Sequence, residues 1–258
     1  MEEVDTYFWL CSSAFAAGAL NSIAGGGTLL TFPALASVID PALANATSTM
    51  ALLPGSIAGA LGYRRELWEY RRFTLRLLLP SLLGGAVGAW LVVWAPNIFA
   101  HLVPWLILTA AILFLIQKPI SKWLLIKLKN MSKLVYIDTK LIDLILIPII
   151  QFIIATYGGY FGAGIGIIML SILSYTNIDN IHSMNAIKTF LAACINSTSC
   201  FVFIYTDMVI WKYALPMIIV SILGGYVGAR IARRLPRELI RWMIIVIAFS
   251  LSIYYFVR

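Results

Sequence analysis

Ser81-Leu82-Leu83-Gly84-Gly85-Ala86-Val87-Gly88-Ala89 returns 140 residues later as Ser221-Ile222-Leu223-Gly224-Gly225-Tyr226-Val227-Gly228-Ala229. At the same offset, Asn45-Ala46-x-x-Thr49 returns as Asn185-Ala186-x-x-Thr189. Two matches that share one offset mark a duplicated chain, so whatever fold the first half takes the second half is expected to take again. Stretches free of Asp, Glu, Lys and Arg surround both copies: Thr6–Ile39, Pro41–Tyr63, Leu77–Gln117, Leu144–Ile178, Thr189–Thr206, Tyr213–Ala229 and Trp242–Val257. With 61% hydrophobic and 12% charged residues and a mean hydropathy of +0.92, the 258-residue chain carries more apolar surface than a soluble domain of this length buries. An all-α polytopic membrane protein follows.

Most of the apolar runs suit a single crossing of ~20 residues, once Ala95-Pro96-Asn97 divides Leu77–Gln117 into two helices. Thr6–Ile39 and Leu144–Ile178 do not. Each would be on the order of 50 Å long as a straight helix, against a hydrocarbon core of ~30 Å. Each is also interrupted by glycine, at Gly25-Gly26-Gly27 and at Gly162-Ala163-Gly164. The expected order is a broken segment followed by three transmembrane helices, twice over. Residues 1–117 form the first repeat, 118–140 a basic cytoplasmic linker, and 141–258 the second repeat.

Charge sets the orientation. Of the 19 basic residues, five fall in Arg64–Arg76, six in Lys118–Lys140 and five in Arg230–Arg241. The positive-inside rule places all three clusters in the cytoplasm. Lys118–Lys140 and Arg230–Arg241 then need an even number of crossings between them. A through-going broken segment gives three, and a re-entrant one gives two. The re-entrant count makes the halves inverted relative to each other, with both termini outside; a kinked through-going helix is the competing geometry. The basic residues lie between apolar runs without interleaved aromatic platforms, so a nucleic-acid partner is not expected. Membrane lipids are the surroundings. Trp9, Trp68, Trp94, Trp105, Trp123, Trp211 and Trp242 lie mostly near span ends, as interfacial anchors do. The acidic start MEEVDTYFWL lacks the basic region of a signal peptide, so the first apolar run is expected to remain in the mature protein.

Irregular backbone at membrane depth survives only against protein or a polar cavity. After each glycine break a helix can restart with free N–H groups and the positive end of its dipole facing the interior, an arrangement that suits an anion. Gly26, Gly27, Thr28, Gly164 and Ile165 are the candidate backbone donors. Asn45, Ser48 and Thr49 share one helical face, and Asn185, Lys188 and Thr189 repeat that spacing in the second half. Asparagine near a helix start also serves as a cap. Lys188 lies a little inside an apolar run, where an ammonium must snorkel, pair or line a hydrated cavity. By contrast, Gly84-x-x-x-Gly88 and Gly224-x-x-x-Gly228 have the spacing of close helix packing. His101 and His182 near span ends, and the absence of a nucleophile-elbow serine, give no catalytic constellation. Cys11, Cys194 and Cys200 have neither metal-ligand nor disulfide-framework spacing, so neither a metal nor a cofactor is expected.

At these residues a family becomes recognisable. Asn21-Ser22-Ile23-Ala24-Gly25-Gly26-Gly27-Thr28-Leu29-Leu30-Thr31-Phe32-Pro33-Ala34-Leu35 resembles the first signature of the TauE/SafE family of sulfite and organosulfonate exporters. Tyr157-Gly158-Gly159-Tyr160-Phe161-Gly162-Ala163-Gly164-Ile165-Gly166 resembles its second-half counterpart. The resemblance spans the chain and implies a multi-pass permease of the cell inner membrane that exports a small sulfur-containing anion such as sulfite, sulfoacetate or a related sulfonate. The second half departs from the pattern in having Ala163 within its glycine run and no proline after it. An anion-selective channel and a membrane scaffold or enzyme without transport are the competing readings.

Overall fold

The computed structural model describes residues 2–23, 26–131, 146–173, 176, 178, 180–231 and 237–257. Among them the first half contains α1 (Glu2–Ile23), α2 (Thr28–Ala36), α3 (Pro41–Gly62), α4 (Arg64–Glu69), α5 (Arg71–Trp94) and α6 (Pro96–Met131). The second contains α7 (Ile147–Tyr160), α8 (Ile165–Leu173), α9 (Ile181–Tyr205), α10 (Trp211–Ile231) and α11 (Arg237–Val257). The described residues include no strand. Arg71–Trp94, Pro96–Ile116 and His182–Tyr205 are long and apolar enough to cross a membrane, and Ile147–Tyr160, Trp211–Val227 and Ile245–Val257 are shorter apolar helices. The protein is thus an all-α polytopic membrane protein.

Local chemistry sets the helix boundaries. α5 ends at Trp94 and α6 restarts at Pro96, where a proline costs nothing because the first helical N–H has no intrahelical partner. Pro41 starts α3 in the same way. Asn180 caps α9, its Oδ1 accepting from His182 N at 2.9 Å. Gly26, at φ +91°, and Gly162 and Gly164, both at φ +79°, occupy the left-handed region that side chains avoid, and this is where the helices break. The short helix α4, between the second and third elements of the first half, has no counterpart in the expected order of elements; the sequence presents its arginines only as a topology signal. Helix α6 continues to Met131, into the linker expected over 118–140, and the remainder of that linker lies outside the described residues.

Packing partners follow the duplication. Helix α1 packs on α10 while its equivalent, α7, packs on the equivalent of α10, which is α5; likewise α3 meets α10 and α9 meets α5. The elements that pair with their own equivalents are α3 with α9 and α6 with α11. These self-pairs are antiparallel. Asn196 Nδ2 donates to Ser56 Oγ at 3.3 Å while Thr189, earlier on α9, touches Gly59, later on α3. At the other self-pair, Trp105 near the start of α6 meets Phe256 at the end of α11, ring centroids 5.0 Å apart.

Helix directions also bear on the first broken segment. Glu3 on α1 pairs with Lys212 on α10 at 3.0 Å, and Phe15 and Gly18 further along α1 meet Gly224 and Ser221 further along α10, so these helices run parallel. Helix α3 is parallel to α10 as well: Ile210 N donates to Thr47 Oγ1 at 3.1 Å, and Ser221 Oγ donates to the Ala51 carbonyl at 2.8 Å. Two helices that follow each other in the chain and run the same way need a return stroke between them, and α2 provides it. The starts of α1 and α3 both lie toward the end of the molecule where α10 begins. At the glycine break the chain has already turned back, because a Cβ on Gly27 would lie 2.7 Å from the carbonyl of Ala17.

Close backbone approach holds these pairs together. Gly84 and Gly88 on α5 face Phe152–Tyr160 on α7, and Gly224 on α10 faces Phe15 on α1, all within backbone contact. The packing role expected for Gly84, Gly88 and Gly224 is therefore the observed one. Gly228 lies among residues whose surroundings are outside the description.

Candidate functional site

The two breaks come against one stretch of α6. A Cβ on Gly26 would lie 2.5 Å from Phe114 Cζ, and one on Gly164 would lie 3.0 Å from Leu113 Cδ1. Sequence-adjacent side chains on α6 thus back the two breaks. Phe32 of α2 and Phe161 of the second break stack edge to face at 5.4 Å, with Phe99 and Tyr255 around them. Phe32, Phe99 and Phe161 are buried, which closes the breaks on that side with an aromatic cluster.

The first-half polar face turns inward. Asn45, Thr47 and Ser48 are fully buried, in a medium where each polar group must find a partner within the protein. Ser48 Oγ and Thr31 Oγ1 are 2.6 Å apart, and Thr31 Oγ1 donates to the Gly27 carbonyl at 3.3 Å, so the third hydroxyl-bearing residue of this group is Thr31 on α2. Thr49 bonds back to the Asn45 carbonyl at 2.8 Å within its own helix. Asn45 Nδ2 crosses to the other half and donates to the carbonyl of Tyr160, the last residue of α7, at 3.0 Å. Its Oδ1 is enclosed and has no protein partner.

The second-half break differs in chemistry. Tyr157 Oη donates to the Ala163 carbonyl at 2.8 Å and braces the turn. Ile165 N bonds back to Gly162 O at 3.4 Å and Ile167 N to Gly164 O at 3.0 Å. The stem and ammonium of Lys188 lie over the first turn of α8: a Cβ on Gly166 would be 3.2 Å from Cδ and 3.7 Å from Nζ. Lys188 Nζ also donates to Asn185 Oδ1 at 3.3 Å. A positive side chain and the positive end of a helix dipole are mutually unfavourable in low dielectric unless an anion joins them. Thr189 places its methyl group 3.4 Å from Gly59 of α3.

The structure therefore brings Gly26, Gly27, Thr28, Asn45 and Ser48 around one break, and Gly164, Ile165, Asn185 and Lys188 around the other. Asn45 spans the two. Thr49 and Thr189 are engaged with their own helix or with a helix face. Sequence reasoning passed over Thr31, Gly166, Tyr157 and the backing residues Leu113 and Phe114. Thr31 and Gly166 lie inside the quoted motifs and carried a local signal; the α6 pair carried none, since it is an ordinary part of an apolar run. Hollows of ≈ 450 Å³ beside Trp68–Phe73 and ≈ 210 Å³ beside Glu3, Tyr7 and Lys212 lie away from the breaks. Among the described residues no cluster of His, Cys, Asp and Glu is placed to hold a metal.

Residues 10–255 match the family described as sulfite exporter TauE/SafE. A probable membrane transporter protein of Haemophilus influenzae is 28% identical over 96% of this chain and 94% of its own length. One from Sinorhizobium, described as probable membrane transporter protein ORF9, is 29% identical over 95% and 90%. The probable membrane transporter protein YfcA of Escherichia coli K12 is 27% identical over 93% and 85%. No solved structure matches the chain.

Proposed function

We propose that this chain, which belongs to the sulfite exporter TauE/SafE family and is a multi-pass membrane protein, exports a small sulfur-containing anion, sulfite or an organosulfonate, by alternating access. The observation that carries this reading is Lys188 lying over the first turn of α8: an ammonium meets the positive end of a helix dipole within an apolar segment, where an oxoanion balances both. The sulfur chemistry comes from the family description, and the anion chemistry from the residues.

A carrier is favoured over a channel. Thr31, Asn45 and Ser48 are 0 to 1% exposed, so the polar face lies in a closed core rather than along a water-filled path. Antiparallel self-pairing of α3 with α9 and α6 with α11 also supports the mechanism, since inverted halves that rock about a midplane site expose it to each side in turn. In this reading both broken segments are re-entrant, the basic clusters are cytoplasmic, and substrate and lipids are the partners.

Purified protein in proteoliposomes decides the matter. Saturable efflux of sulfite, accelerated by the same anion on the opposite side, is the expected result. Linear, non-saturating flux would indicate a channel. No flux for sulfite, sulfonates, thiosulfate or carboxylates would overturn the transport reading.

A further inference from the structure

The buried Asn45 amide defines which form of anion the site takes. Its nitrogen donates to Tyr160 O, and that bond fixes the orientation of the amide, because a carbonyl accepts only from the nitrogen arm. The oxygen arm is then an acceptor with no donor on the protein, on a side chain 1% exposed that meets the last residue of α7, where the second break begins. A buried acceptor left unpaired is costly and uncommon. Just beyond that break in the chain, the ammonium of Lys188 lies over the first turn of α8; it carries three N–H donors, gives one to Asn185 Oδ1, and suits the oxygens of an anion with the others.

The complement of several donors and one acceptor is a ligand with several acceptor oxygens and one donor of its own. We propose, on the premise that this is the transported-anion site, that it selects a singly charged oxoanion bearing an O–H or N–H group, which Asn45 Oδ1 accepts. For sulfur(IV) this is the hydrogen form rather than the dianion. Among sulfonates it is those with a hydroxyl or amide close to the sulfur. The single ammonium of Lys188 matches the single negative charge.

Two probes isolate the donor from the charge. Methanesulfonate and hydroxymethanesulfonate are both monoanions, and they differ by one hydroxyl. Binding to the purified wild-type protein should be roughly tenfold tighter for hydroxymethanesulfonate, as expected for pairing a buried acceptor. In Asn45→Leu and Asn45→Ala the two affinities should become equal. Equal wild-type affinities would overturn the inference and leave Asn45 Oδ1 to an ordered water. A preference that persists in folded Asn45 variants would also overturn it, since the hydroxyl would then be met elsewhere. Should neither variant yield monodisperse protein, the wild-type comparison alone decides. Binding of neither sulfonate, with sulfite flux intact, would sink this inference and spare the transport reading; absence of both would sink the two together.

Discussion

Lys188 and Gly166 form the smallest unit of the proposed anion site. The lysine stem passes over a glycine on the first turn of α8, and the missing Cβ leaves room for it at 3.2 Å from Cδ. Removing the charge in Lys188→Met should weaken binding of sulfite by ~1.5–3 kcal/mol, the range for a charge-assisted hydrogen bond, with the protein still monodisperse. Unchanged affinity in a titration of the variant would mean that the side chain only reaches toward polar surroundings. Gly166→Ala should act through the same contact by pushing the stem aside. The two substitutions should therefore be non-additive in a double-mutant cycle on sulfite affinity, whereas independent effects would add.

At the level of elements, glycine has two separate uses, distinguished by what a side chain would meet. Gly26 and Gly164 combine positive φ with side chains of α6 close by, Phe114 and Leu113, so Gly26→Ala and Gly164→Ala strain the turn that presents the helix start. Sulfite affinity of the folded fraction should fall sharply in both. Gly224 instead meets the backbone of Phe15 on α1 and has no contact of its own with either break glycine. Gly224→Ala should lower the thermal midpoint and leave the affinity of the remaining folded protein unchanged, as determined by a melting curve and a titration on the monodisperse fraction. Gly88 is a poorer control than its sequence spacing suggests: it abuts Thr156 and Tyr160, and Tyr160 is the residue whose carbonyl receives Asn45. A substitution there would disturb packing and break together.

Over the whole molecule, the directions of the helices constrain the topology. Glu3 and Lys212 are 3.0 Å apart and exposed, so they lie at one face, and the proposed arrangement makes that face external. In a background lacking Cys11, Cys194 and Cys200, single cysteines replacing Glu3 or Lys212 should be labelled by a membrane-impermeant reagent on intact cells. Cysteines placed in 118–140 or 230–241 should be labelled only after the membrane is opened. Labelling of the 230–241 segment from outside would refute the inverted arrangement.

The sequence by itself determined the solvent, the all-helical class, the recurrence of its motifs at one offset and the position of both breaks. Each of these follows from local properties: apolar runs of span length, the shared offset of Asn45 and Ser81 with Asn185 and Ser221, and glycines at Gly26 and Gly164 where the backbone takes positive φ. It also sets Lys188 at the edge of an apolar run. Only the tertiary structure decided where the polar groups spend their hydrogen bonds. The helical spacing presents Asn45 as a donor to ligand, yet it gives its donor to Tyr160, 115 positions away, and Ser48 pairs with Thr31. A helix end leaves carbonyls unsatisfied, and without water in the core the nearest donor must serve them. Which donor is nearest depends on how α3 packs against the opposite half, a relation between distant residues that no local pattern encodes.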